Sequence, residues 1–250
     1  MDRDDILKAM LSGVSPALGG DQEKRVMSAM KAFSVKQLQK MEEAGVRIWP
    51  FVKGLPPEFQ INSIGDLGSP AEYKYQFRTI RISPTSMEKA GATDFLRHEF
   101  AHAWDEVRAG KGWKNLRKLK GDAISDELNR RATDKADVFE SQSARKLLPS
   151  NKTMKEIFEN YKKVLPDKTY SFANPSTAEM HNTRNVMEFY AEGYSVFHGF
   201  HQTSQGRMMW LAPGLFGYLE KEAKDNGLPA PQRAELEKVL DDNHKDWRKY

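Results

Sequence analysis

Apolar positions along the first fifty residues recur first at helical spacing and then at strand spacing. Residues 21–45 predict two helices. Ser34 opens the second, with Gln37 three positions on in a capping-box pattern, and Gly45 closes it where a left-handed cap is wanted. Val46, Arg47, Ile48 and Trp49 then alternate as a short strand stopped by Pro50. From 51 to 72 the chain is rich in Gly, Pro, Asn and Ser and predicts a loop. Tyr73, Tyr75 and Phe77 alternate with Lys74, Gln76 and Arg78, but Ile80 and Ile82 fall on the opposite phase. A bulge or tight turn near Arg78 is needed to bring the two runs into register.

The next helix is expected from Thr93, as its N-cap, to about Ala109, with Gly110 and Gly112 as its stop. Residues 113–165 carry charges at helical spacing and predict one or two surface-lying helices. A turn follows at 174–177, then a helix from Thr183 to about His198 and a polar closing helix over 229–250. The apolar run Met208 to Leu219 is interrupted by Pro213, Gly214 and Gly217. It is too short to span a bilayer and reads as a buried, turn-rich core segment.

Composition narrows the chemistry. At 250 residues, 39% hydrophobic and 30% charged, the chain predicts a globular protein and excludes wholesale disorder. It contains no cysteine, which removes disulfides, thiolate metal sites and cysteine nucleophiles together, so a transition metal here must be held by His, Asp or Glu. A net charge of +4 is too mild to nominate nucleic acid as a partner. Arg108, Lys111, Lys114, Arg117, Lys118 and Lys120 cluster around Trp113. They read as a solvated helix face and its approach loop, with a phosphate- or membrane-surface patch as the alternative. His198, His201 and His244 lack ligand spacing and read as structural or surface residues. The acidic start, Met1 to Asp5, does not read as a classical signal peptide, which implies a cytoplasmic protein or one exported by a dedicated route.

His98-Glu99-Phe100-Ala101-His102 is an HExxH motif. On a helix, histidines at i and i+4 lie one turn apart on one face and both reach one metal ion, while the intervening glutamate reaches its water. The metzincin continuation needs Gly and His where this chain has Asp105 and Arg108, so that class is excluded. The gluzincin solution takes a glutamate from a second helix. Candidates are Glu188 and Glu192, one turn apart in an apolar and aromatic stretch where two acids are costly without a cation to receive them.

At these residues the chain resembles the catalytic domain of the anthrax lethal factor-like zinc metalloproteases and the related Pro-Pro endopeptidases. The likeness lies in Asp94 to Asp105 and in Asn185-Val186-Met187-Glu188-Phe189-Tyr190-Ala191-Glu192-Gly193-Tyr194, with support from the helix-to-strand step over Gln37 to Trp49. The resemblance implies Glu188 as the third zinc ligand, with Glu192 and Asp105 as carboxylates outside the ligand set, supporting the ligating residues. The family usually has a transition-state tyrosine seven residues before the ligand glutamate. This chain has His181 there, an imidazole that can also donate to an oxyanion.

The expected architecture is α+β and predominantly helical. It is a single zincin (gluzincin) domain over 1–250 with a small sheet, an HExxH helix, an N-terminal helical extension at 1–33 and a helical insertion at 113–165. One Zn²⁺ is expected on His98, His102 and Glu188, with Glu99 as proton carrier and His181 as oxyanion donor. The expected substrate is a peptide or protein, its extended chain adding to an edge strand around Arg78 to Ile82. The resemblance implies a bacterial toxin or effector protease. The rival reading is a catalytically silent zincin-fold module whose basic insertion binds a protein partner. A third is a nucleic-acid-binding protein with an incidental HExxH.

Overall fold

The computed structural model describes residues 1–11, 18–50, 71–82, 87, 91–108, 112–133, 154–164, 172 and 186–243. They are mostly helical with one three-stranded sheet. The chain divides into two compact units, Met1–Phe139 and Glu140–Tyr250, and the division falls inside the expected insertion.

The first unit contains α1 (Arg3–Leu11), α2 (Gly20–Met30), α3 (Val35–Glu43), β1 (Arg47–Pro50), β2 (Ala71–Lys74), β3 (Thr79–Ile82), α4 (Ala92–Arg108) and α5 (Asp122–Thr133). Both ends of α3 are closed as the sequence predicts. Gln37 N–H donates to Ser34 Oγ at 3.2 Å, and Ser34 N–H donates to Gln37 Oε1 at 2.8 Å. At the other end Gly45 takes φ +90°, Gly45 N–H reaches Glu42 O at 2.8 Å and Val46 N–H reaches Met41 O at 2.9 Å, a Schellman closure. The chain then enters β1, which includes Pro50. Residues 71 and 72, expected in a loop, form the start of β2, and 51–70 lie outside the described residues.

The phase slip between Tyr73 and Ile80 is taken up where the sequence requires it. Tyr75–Phe77 form a single 3₁₀ turn, and Arg78 sits in the left-handed region at φ 50°, the one non-glycine residue among those described with positive φ. Such a conformation costs about 1–3 kcal/mol for a side chain with a Cβ, and it persists where the surroundings over-determine it. They do here. Arg78 Nε donates to Glu106 Oε1 at 2.8 Å, and its Nη1 donates to Ala44 O at 2.7 Å and to Trp113 O at 3.3 Å. The guanidinium also lies over the Trp113 ring at 5.4 Å. The Tyr73 hydroxyl donates to the other oxygen of Glu106, and burial, then the Glu106 charge, pushes that phenol well above its ordinary pKa.

The sheet order is β1-β3-β2, with β1 parallel and β2 antiparallel to β3. This corrects the expectation that Arg78 to Ile82 is an edge. β3 is the central strand, because β1 returns beside it in parallel and occupies the side that local pattern left open. All four of its residues are buried, as befits a strand paired on both sides.

α4 packs on α2 and α3 and on β2 and β3. Leu96, Phe100 and Ala103 are buried, and the Phe100 ring lies 5.8 Å from that of Phe33. The helix begins at Ala92, with Gly91 O accepting from Asp94 N–H and Phe95 N–H, so Thr93 lies in its first turn rather than at the N-cap. α5 lies at the surface as expected, with Glu127 and Arg131 its buried side chains. Its Arg131 lies over Trp113 at 4.9 Å, donates to Gln76 O at 2.6 Å and pairs with Glu127 at 3.1 Å. Burial raises the Glu127 carboxyl, but hydrogen bonds from Arg130, Arg131 and Lys114 N–H outweigh it and hold the group below its ordinary pKa.

The second unit contains α6 (Met154–Val164), α7 (Val186–Phe197), α8 (Gln202–Leu211), α9 (Pro213–Asp225) and α10 (Arg233–Asn243). α7 packs against α6, α8 and α9. Phe158, Tyr161 and Phe172 surround Phe189 at ring separations of 5.3, 4.9 and 6.1 Å. The apolar run Met208 to Leu219 is buried in the main but is helical rather than turn-rich. It forms the end of α8 and the start of α9, joined at Ala212 with Pro213 as the first helical residue. No helix among the described residues is long and apolar enough to cross a membrane.

Glu106→Gln should leave the Arg78 charge buried without its counter-ion and cost about 3–5 kcal/mol of stability in urea unfolding. A loss below about 1 kcal/mol, the range of exposed ion pairs, would show that the pair does not hold this unit together.

Candidate metal centre

α4 presents His98 and His102 one turn apart, 9% and 5% exposed. Their Nε2 atoms face each other at 3.0 Å with the rings nearly perpendicular at 84°. Two nitrogen donors on one tetrahedral ion stand only slightly farther apart, about 3.3 Å for bonds of about 2.0–2.1 Å, so the pair is close to a ligating geometry. Glu99 is half-buried, and its Oε2 accepts the Tyr73 backbone N–H at 2.6 Å. The Tyr75 hydroxyl meets His102 Nδ1 at 3.0 Å. Asp105 is buried and takes Arg108 Nε and Nη2 at 2.9 and 2.6 Å.

On α7 the burial pattern matches the sequence argument. Glu188 and Glu192 are half-buried one turn apart, and Met187, Phe189, Tyr190, Ala191, Gly193 and Tyr194 are buried. Tyr190 donates its hydroxyl to Glu222 at 3.2 Å. Glu188 and Glu192 belong to the second compact unit, whereas His98, Glu99 and His102 belong to the first.

His181 and His244 lie outside the described residues. His198 packs tilted against Tyr194 and edge-on against Phe197, with ring centroids at 4.5 and 5.0 Å, and His201 is the exposed residue preceding α8. The basic cluster is partly consumed internally: Arg108 pairs with Asp105, Arg117 reaches Glu42 at 3.4 Å, and Trp113 is buried.

Comparison with known proteins gives nothing to set beside this geometry. No protein-family model, curated protein or solved structure matches the chain.

The sequence reading missed Tyr73, Tyr75 and Glu106. A signal for Glu106 was present: it continues the series of His98 and His102 by one further turn on a helix with apolar neighbours, where an acid needs a buried partner. Tyr75 carried no such signal, because its contact with His102 depends on the turn at Arg78.

Gly193 sets how closely α7 approaches α9, since a Cβ there would collide with Leu215 Cδ2. Leu215 is fully buried, so it can yield only by repacking against its neighbours. Gly→Ala inside a helix ordinarily gains about 1 kcal/mol. Gly193→Ala should instead lose about 1–3 kcal/mol through overpacking, and a higher melting temperature in the variant would contradict this packing.

Proposed function

We propose that this protein is a zinc-dependent metalloendopeptidase that holds one Zn²⁺ through His98, His102 and Glu188 and hydrolyses peptide bonds in a peptide or protein substrate. The observation that carries the reading is the buried histidine pair with its Nε2 atoms 3.0 Å apart and the HExxH glutamate beside it. The donor set fits the ion. Two imidazole nitrogens and one carboxylate oxygen, with no cysteine anywhere in the chain, match a catalytic zinc site that keeps a fourth position for water or substrate.

Zinc, when bound, acidifies water and polarises the carbonyl of the scissile bond. Glu99 is the proton carrier: its carboxylate takes a proton from the attacking water and delivers it to the departing amine. The Tyr73 N–H on Oε2 orients that carboxylate, so Glu99 need not search rotamers as the proton moves. His181 is proposed to donate to the oxyanion of the tetrahedral intermediate. The intact Glu99 favours a working enzyme over a silent zincin-fold module, since a module has no use for a proton carrier. The resemblance to the lethal factor-like proteases extends the proposal to a toxin or effector role, with the cytoplasm or a dedicated export route as its setting.

The test is elemental analysis of the purified protein alongside cleavage of a peptide library. Wild type should carry one zinc per chain and cleave. Glu99→Ala should keep its zinc and lose hydrolysis, and His181→Ala should lower kcat by about 10²–10³ with KM little changed. Absence of zinc from the wild type, or full activity in Glu99→Ala, would overturn the reading.

A further inference from the structure

We infer that Tyr75 is a positioning residue for His102: its phenol oxygen accepts the His102 Nδ1–H and thereby leaves Nε2 as a lone pair directed at the metal. The inference rests on the ligand set proposed above and extends it to a residue that touches neither metal nor substrate.

The argument is one of proton placement. Tyr75 Oη lies 3.0 Å from His102 Nδ1, and His102 Nε2 lies 3.0 Å from His98 Nε2. A neutral imidazole has one N–H and one lone pair, so two arrangements satisfy this row of contacts. In the first, Nδ1–H donates to the phenol oxygen and His102 Nε2 is an acceptor. In the second, the phenol donates to Nδ1, which places the proton on His102 Nε2. A metal ion needs lone pairs on both Nε2 atoms, and the first arrangement alone gives His102 that form. Tyr75 therefore acts as the acceptor that a ligating histidine ordinarily finds in a carboxylate or carbonyl.

The phenol is held in place by the same helix that carries the histidine. Tyr75 opens the 3₁₀ turn, whose closing bond runs from Arg78 N–H to Tyr75 O at 3.1 Å. Arg78 is anchored by Glu106, one turn beyond His102 on α4. The Tyr73 ring packs edge-on against Tyr75 at 4.9 Å, and its hydroxyl binds that same Glu106. α4 thus presents His102 and, through Glu106, fixes the turn that orients its ring.

Two measurements test this without relying on activity. In metal-free, ¹⁵N-labelled wild type, long-range ¹H–¹⁵N correlation should show His102 with its proton on Nδ1, and a proton on Nε2 would overturn the inference. By chelator competition Tyr75→Phe should bind zinc about 10–100-fold more weakly than wild type, with an unchanged circular dichroism spectrum. Phe77→Leu, in the same turn, should leave the affinity unchanged, which separates an effect at His102 from loosening of the turn. Equal or tighter zinc binding in Tyr75→Phe would overturn the role of Tyr75 while leaving the ligand set standing. A wild type that takes up no zinc would remove the ligand set and this inference with it.

Discussion

Arrangement of the first unit turns on one buried ion pair, Glu106 with Arg78, 0% and 4% exposed. Taking two charges out of water is costly, and their attraction repays the cost only where further hydrogen bonds complete both groups. Here they do. Glu106 accepts from Arg78 and from the Tyr73 hydroxyl, and Arg78 donates also to Ala44 O and Trp113 O. These contacts join α4, the α3 terminus, the segment before α5 and the turn between β2 and β3. They hold Arg78 in a left-handed conformation that a residue with a Cβ avoids when free.

The local arrangement around the histidines follows from that constraint. With the turn fixed, the end of β2 runs past α4 so that Tyr73 N–H meets Glu99 and the Tyr75 phenol meets His102. A stability element and the proposed chemical element therefore share one helix: Glu106 anchors the turn, and the turn orients the proposed proton carrier and one proposed ligand. β3 cannot receive a substrate strand, because β1 and β2 occupy both of its sides. An extended peptide adding to this sheet would have to use an outer strand.

What was legible in the sequence was local. The Ser34 and Gln37 box, the Gly45 closure and the phase slip at Arg78 are set by neighbours within a few residues, and each has the form the pattern predicts. The i, i+4 histidines follow from helical geometry alone. The central place of β3 was not legible, because its parallel pairing with β1 joins segments some thirty residues apart and leaves no mark in either. The helical course of Met208 to Leu219 was hidden for a related reason. Pro213 and the glycines read as breakers, whereas Pro213 starts a helix and Gly214 and Gly217 lie within it. The burial of Glu127 and Arg131 on the otherwise exposed α5 left no local mark either, since it depends on Trp113 and the Tyr75–Phe77 turn.

The central claim is that one zinc ion is held by two imidazoles of α4 and by Glu188 rather than Glu192. X-ray absorption at the zinc edge, recorded on loaded wild type and on Glu188→Ala and Glu192→Ala, addresses it directly. The account predicts a first shell of two imidazole nitrogens and carboxylate or water oxygens at about 2.0–2.2 Å in wild type and in Glu192→Ala, with the shell altered or the metal lost in Glu188→Ala. A shell without imidazole, or one changed by Glu192→Ala and untouched by Glu188→Ala, would contradict it.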